Sequence, residues 1–320
     1  MASRGLKRQL RHRTGYALTR ALEGAALLLP EPVMERVGAA AGALVSEALG
    51  LRRKVVEENL RAAFPDKDQA WVRRTVREVY RNSGREGAIL PRLSALSREE
   101  LLARTEVVGW EQLERGLAEG RGVIVVSGHY GNWEMGAAGI AARGIPFQAV
   151  VRRQNDPLFD DRLDALRERM GVGTISSGEA VRRVPRILRE NGVVGVVADQ
   201  DAGRAGVRID FLNRPASAHR GAAVFALRSG AAVIDLVAAR LPGSPARYRL
   251  VFNRVPVRPG GDTEEDVRLL TQEIADRLAR AVRDEPVQYF WFHRRWKSFP
   301  SEPLGRPGST NRGQAGPADP

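Results

Sequence analysis

The chain contains no cysteine, which excludes thiol nucleophiles, disulfide bridges and cysteine-held zinc and leaves the redox compartment open. Its four histidines, at 12, 129, 219 and 293, are scattered and never form a His-Glu-x-x-His motif, which argues against a metal centre. There is no Gly-x-Ser-x-Gly elbow, so serine hydrolysis lacks its nucleophile turn. No P-loop occurs, and GVGTISSG at 171–178 has the wrong spacing for a dinucleotide fingerprint. Nor does any apolar run reach the roughly 20 residues a membrane span requires. Glu23, Pro30, Glu31, Pro32, Glu35 and Arg36 interrupt the longest candidate.

What is present in excess is positive charge. A formal net charge of +13 over 320 residues implies polyanionic company: nucleic acid, an anionic membrane, a phosphorylated substrate or an acidic carrier protein. A hydrophobic fraction of 43% is enough for a substantial globular core. Residues 1–20 hold Arg4, Lys7, Arg8, Arg11, Arg13 and Arg20 and no acid, and ALEGAALLLP and VGAAAGALVSEALGL follow. This reads as one or two amphipathic helices lying on a membrane, the basic segment against anionic headgroups. A buried helix pair fits the same pattern. The last stretch, 301–320, is rich in Pro, Gly and Ser and reads as a disordered tail. The expected organisation is therefore a membrane-associating N-terminal segment over 1–50, a main globular domain over 51–300 and a tail over 301–320.

Within the domain, 51–64 reads as a helix stopped by Pro65, a second helix runs through Trp71, Val72, Val76, Val79 and Tyr80, and 98–120 reads as helical. Strand signals follow at 123–126, 147–151, 172–175 and 193–199, separated by helices at about 157–170 and 178–190. Strands alternating with helices of that length predict crossover units, hence an α/β fold with a mainly parallel sheet. Later strands are expected at 208–211, 231–239 and 248–252 and a helix at 264–283.

The stretch GVIVVSGHYGNWEMG, 122–136, concentrates the chemistry. A buried strand ends at Ser127-Gly128, His129 follows, and Asn132 is placed to cap a helix that carries Glu134 in its first turn. Five residues along one helix would separate the two side chains, but a strand-loop-helix corner can fold Glu134 onto one ring nitrogen of His129 and leave the other as a general base. An ordinary capping or surface histidine is the other reading. Arg152, with Arg153 beside it, follows the strand at 147–151 and Arg167 lies on the next helix, so a strand end could bring Arg152 toward His129. A solvated basic surface would explain these arginines equally. Asp199 and Asp201 flank Gln200 at another strand end, where they either face the same crevice or order loop amides. In EPVQYFWFHRRWKSFP, aromatics interleave with His293, Arg294, Arg295 and Lys297, which suits headgroup contact or nucleic-acid stacking, with some rings in the core.

Five blocks, NLRAAFP, GRGVIVVSGHYGNWE, RRQNDPLFD with RERMG, ADQDAGRAGVRIDF and FWFHRRWKS, resemble in order and spacing the lipid A biosynthesis (lauroyl/myristoyl-type) acyltransferases of the lysophospholipid acyltransferase superfamily, over about residues 16–300. The resemblance implies an α/β glycerolipid-acyltransferase-like fold and a His-x4-acid pair, here His129 and Glu134. It implies substrate-binding roles at Arg152 and Arg167 and at Asp199, with Asp201, Arg153 and Asn132 as further candidates. Many relatives have Phe-Phe-Gly where this chain has Phe211-Leu212-Asn213, and Asn tolerates the left-handed turn. The implied reaction is acyl transfer to a hydroxyl of a phosphorylated glycolipid, with acyl carrier protein or coenzyme A as the thioester donor and no further cofactor or metal. Helix amides near Asn132–Glu134, or Arg167, would supply oxyanion donors. The implied setting is the cytoplasmic face of the bacterial inner membrane, against its anionic lipids. Phosphatidylinositol mannoside acyltransferases resemble the same blocks but favour Asp at position 134. Outside enzymes, the charge permits a nucleic-acid-binding protein, for which no motif is present.

Overall fold

The computed structural model describes residues 20–299 apart from 22, 154, 155 and 262. The basic residues at 4–13 and the expected tail over 301–320 therefore lie outside the described residues.

The described strands are β1 (Thr105–Val108), β2 (Val123–Ser127), β3 (Phe147–Val151), β4 (Val172–Ser176), β5 (Val193–Val197), β6 (Val207–Phe211), β7 (Arg214–Ala218), β8 (Ala232–Arg240) and β9 (Tyr248–Val255). Seven form one sheet in the order β1-β9-β8-β2-β5-β3-β4, in which only the β8–β9 contact is antiparallel, while β6 and β7 form a separate hairpin. The expected mainly parallel sheet is thus present. Its central strands are runs of Val and Ile because helices cover both faces. Along β2, Val123 and Val125 join the core beneath α5 (Trp110–Ala118) and α6 (Trp133–Ala142), and Ile124 and Val126 join the core beneath α8 (Ala180–Arg189) and α9 (Gly221–Ser229). That division follows from the two-residue period of a strand.

Two strands were not anticipated. The stretch 98–120, expected as helix, is α4 (Arg98–Ala103), then β1, then α5. A Ser97/Glu100 capping box starts α4, and pairing with β9 draws Thr105–Val108, with its β-branched Thr105, Val107 and Val108, into the sheet edge. Gly109 turns the chain at φ +76°, where a Cβ would lie 2.2 Å from the carbonyl oxygen of Phe252. The other is β7, whose sequence RPASA carries little strand propensity and is held by its partner. The turn between β6 and β7 has positive φ at Leu212 (51°) and Asn213 (62°), the geometry of a tight hairpin turn, so Asn213 does adopt left-handed angles.

Towards the N-terminus lie α1 (Glu31–Leu44), α2 (Arg53–Ala63) and α3 (Gln69–Leu93); α7 (Pro157–Arg169) and α10 (Thr263–Asp284) come later in the chain. α1 docks on α3 with backbones touching: a Cβ on Gly42 would lie 2.0 Å from Tyr80 O, and one on Gly84 2.1 Å from Gly38 O. The outer side of this N-terminal region leaves Leu28, Val33, Val37 and Leu44 exposed. No helix among the described residues is long and apolar enough to cross a membrane. Gly42→Ala tests the docking by its sign. Helix propensity alone favours Ala by about 0.5–1 kcal/mol, whereas overpacking costs about 1–3 kcal/mol. Net destabilisation in a urea melt is the expected result, and a gain in stability would show that α1 moves away freely.

Candidate active site

Register places the central pair. In the parallel β2–β5 ladder Ser127 lies opposite Val197, and the Ala198 N–H donates to the Ser127 carbonyl at 3.2 Å. Two residues further on, His129 and Asp199 leave neighbouring strand ends side by side, at the carboxyl edge where open parallel sheets bind ligands. Asp199 Oδ1 is 2.7 Å from His129 Nδ1, and Oδ2 accepts from the His129 backbone N–H at 3.0 Å. The carboxylate side chain is 2% exposed and the imidazole 18%, so the acid is interior and the ring is partly accessible. A carboxylate at Nδ1 selects the tautomer with its lone pair on Nε2.

The charges of this pair support each other. Burial opposes ionisation of Asp199, but the charge of His129, the ring and backbone hydrogen bonds from it and the Arg295 guanidinium hold the carboxyl well below the usual range. Burial likewise depresses His129, and the Asp199 charge and hydrogen bond, with the Glu134 charge, outweigh it and leave the imidazole above its ordinary value of 6.5.

The expected closure of Glu134 onto the ring is corrected by this geometry. Asn132 does cap α6, accepting from the Met135 N–H at 2.9 Å, and this sends Glu134 in the first turn toward α7. Arg167 grips its carboxylate at 2.7 Å through Nη2 and at 3.0 and 3.2 Å through Nε, and Trp133 Nε1 adds a bond at 3.1 Å. Glu134 stays close enough to act on His129 by charge, but the ring's hydrogen-bond partner is Asp199.

The remaining candidates are distributed unevenly. The buried Asn132 donates its amide to Glu86 at 2.7 Å and to the Tyr248 hydroxyl at 3.3 Å, so its side chain is engaged in holding the loop. Asp201 accepts from Gly203 and from the backbone and hydroxyl of Ser298, closing the loop after β5 onto the C-terminal segment. Arg152 and Arg153 leave the end of β3 exposed; the Arg152 charge reaches His219, and Arg153 lies 3.7 Å from Asp160. Among the described residues no cluster of three or more His, Asp or Glu is arranged to hold a metal.

In the aromatic-basic block Tyr289, Trp291 and Trp296 are buried core, as expected of some of its rings. The same block also supplies residues that sequence reasoning did not assign to the site. Phe290 donates its backbone N–H to the His129 carbonyl at 2.8 Å, and its ring lies 6.1 Å from the imidazole, with Trp133 at 4.8 Å and His293 at 5.0 Å. Asn59, from NLRAAFP, fixes this segment through the carbonyls of Trp291 and His293. Gln200 fills the space between the two imidazoles. Only the position of Gln200 between two strand-end aspartates hinted at this.

Beneath the pair a water-sized void of about 20 Å³ is lined by Asp199, His219, Thr271, Arg295 and the buried Asp235. Burial pushes the Asp235 carboxyl from 3.8 up to about 6, against the opposing effects of Arg277, the Asn253 hydrogen bond and Arg280. A raised acid stabilises the fold only while protonated, so this contribution is present below about 3.8 and is lost as pH rises through about 6. Asp235→Asn should therefore raise the unfolding free energy at pH 8 by roughly 2–3 kcal/mol. The gain should vanish toward pH 3 in paired urea melts, and an equal gain at both pH values would refute the titration.

Comparison with known proteins adds the following. Residues 5–298 match the family described as bacterial lipid A biosynthesis acyltransferase. The chain is 27% identical to lipid A biosynthesis lauroyltransferase of Escherichia coli (strain K12), over 85% of this chain and 88% of that one. It is 27% identical to the palmitoleoyltransferase of the same organism, over 85% and 87%. It is 29% identical to phosphatidylinositol mannoside acyltransferase of Mycobacterium tuberculosis (strain ATCC 25618 / H37Rv), over 66% of each chain.

Proposed function

This chain belongs to the bacterial lipid A biosynthesis acyltransferase family and is an acyl-transferring enzyme, and we propose that it moves a fatty acyl group from acyl carrier protein to a hydroxyl of a lipid A precursor. The observation that carries the catalytic part is the Asp199–His129 pair, in which the ring's Nδ1 is held by the carboxylate and its Nε2 has the Gln200 amide beside it. His129 Nε2 takes the proton of the acceptor hydroxyl as its oxygen attacks the thioester carbonyl. The tetrahedral carbon then expels the thiolate, which receives that proton from His129, giving ester and free thiol. Asp199 stabilises the imidazolium between the two transfers; general-base help of this kind is worth about 10²–10⁴ in rate.

The choice of acceptor is supported by alignment over 85% of the chain with lipid A enzymes, against 66% with the mannoside enzyme. A net charge of +13 favours encounter with an acidic carrier protein and with anionic lipid. The exposed Leu28, Val33, Val37 and Leu44 suit peripheral seating on the cytoplasmic face of the inner membrane. Arg152, Arg153 and Arg167 are the proposed partners of acceptor phosphates, Arg167 while still bonded to Glu134.

The test is transfer of a labelled acyl group from acyl carrier protein to a tetra-acylated lipid A precursor, with His129→Ala in parallel. Product from the wild type alone is the expected result. Transfer only to phosphatidylinositol mannoside, or only from acyl-coenzyme A, would overturn the acceptor or donor assignment. Equal product from His129→Ala would overturn the base.

A further inference from the structure

Gln200 lies at the mouth of the site with its amide nitrogen 3.0 Å from His293 Nε2 and 3.4 Å from His129 Nε2. Those two imidazoles are its side-chain partners, whereas the flanking Asp199 and Asp201 each tie a loop together. An amide nitrogen carries two hydrogens and accepts none. Because His129 Nδ1–H is directed at Asp199, its Nε2 offers only a lone pair, and one amide hydrogen is directed there. The second hydrogen requires a lone pair on His293 Nε2 as well. Burial, with the charges of His129 and Arg52, holds the His293 pKa down to about 4, so the ring is neutral, and the 3.0 Å contact from an amide nitrogen that can only donate selects the tautomer with its lone pair on Nε2.

We propose that Gln200 is the oxyanion donor of acyl transfer and that His293 is the residue that positions it, an inference that rests on the acyl-transfer reading above. When the acceptor hydroxyl takes the lone pair of His129, it displaces one amide hydrogen. The freed N–H remains beside the carbon that this hydroxyl attacks. A donor must come within about 2.7–3.1 Å of the developing oxyanion, and a nitrogen 3.4 Å from the base is within reach of an oxygen on that carbon. His293 anchors the amide at its far end, so the donor stays aimed as the hydroxyl enters. Of the other donors nearby, the Gly131 and Asn132 N–H groups are committed to the Gln288 and Ala238 carbonyls and Arg167 is held on Glu134 and Asp164, which places it for acceptor phosphates. The Trp133 and Glu134 N–H groups of the first α6 turn would add to the same oxyanion hole.

The experiment compares steady-state kinetics of the full chain, Gln200→Met, Gln200→Glu, His293→Ala, His293→Gln and the double variant Gln200→Met/His293→Ala, with lauroyl-acyl carrier protein and a tetra-acylated lipid A precursor. Both Gln200 variants keep side-chain length but cannot donate, and each should lose roughly 10²–10³ in kcat with KM little changed. His293→Ala should lower kcat by less, His293→Gln should recover part of the loss by supplying an acceptor oxygen, and the double variant should be no slower than Gln200→Met. Wild-type kcat in a Gln200→Met protein with an unchanged melting temperature would overturn the donor role. Losses that multiply in the double variant would overturn positioning by His293. If the wild type makes no product, the parent reading fails; if it does and His129→Ala does not, a fully active Gln200→Met sinks this inference alone.

Discussion

Asp199→Asn is expected to lower kcat by roughly 10²–10⁴ and to move the pH profile to lower values. In the wild type the base must be neutral, so kcat/KM should rise with pH through a pKa above 6.5, the side to which the Asp199 and Glu134 charges bring His129 against burial. Asparagine removes the larger of those charges. Burial then prevails, and the inflection of the residual activity should fall below that of the wild type. The amide also carries hydrogens that favour the other imidazole tautomer, with its lone pair turned inward toward position 199 and away from substrate. Rates measured from pH 5 to 9 for wild type, Asp199→Asn and Glu134→Gln separate the two carboxylates. Full activity in Asp199→Asn, with the inflection lost only in Glu134→Gln, would return the pair to the local spacing.

Arg167→Met is expected to destabilise the protein by about 3 kcal/mol, the lower end of what removing one partner of a buried ion pair costs. The lower end applies because the side chains of Arg167 and Glu134 retain 15% and 13% exposure. The lesion comes mainly from the carboxylate left behind, so the double variant Arg167→Met/Glu134→Gln should recover most of the loss. The single variant should also raise the inflection of the pH profile, since an unpaired Glu134 favours the imidazolium more strongly. Urea melts of the two single variants and the double variant test the first claim, and pH profiles the second. A double variant no more stable than Arg167→Met would show that the guanidinium serves by packing instead of charge.

The opposite behaviour of these two acids explains what could be read from the sequence. Local signals carried far: the strands at 147–151 and 172–175, the helix from 157, the long helix near 264–283 and the Asn132 cap all lie where propensity and capping residues place them. Partners brought together by long-range register did not show. His129 and Asp199 are 70 residues apart and meet because β5 pairs with β2 with Ser127 opposite Val197. A strand's period tells which face a residue occupies but not which strand lies beside it. Glu134 attracted attention because it is five positions away, and distance along the chain was the only distance available. His293 and Phe290 were hidden for the same reason, inside a block whose aromatic content spoke equally for a core and for a surface.

The sheet order also dictates a sequence of events during synthesis. β5 lies between β2 and β3, although both leave the ribosome before it, so the two earlier strands must wait unpaired on facing sides until a third arrives. Asp199 follows that insertion immediately, and Phe290 and His293 come almost a hundred residues later. A nascent chain of this enzyme can thus bring His129, Asp199 and Gln200 together once β5 is in place, but it has neither the His293 partner of Gln200 nor the Phe290 cover until nearly the whole domain has emerged. Contacts of such wide sequence separation are slow to form, and the exposed Val and Ile edges in the interval are what a chaperone would shield.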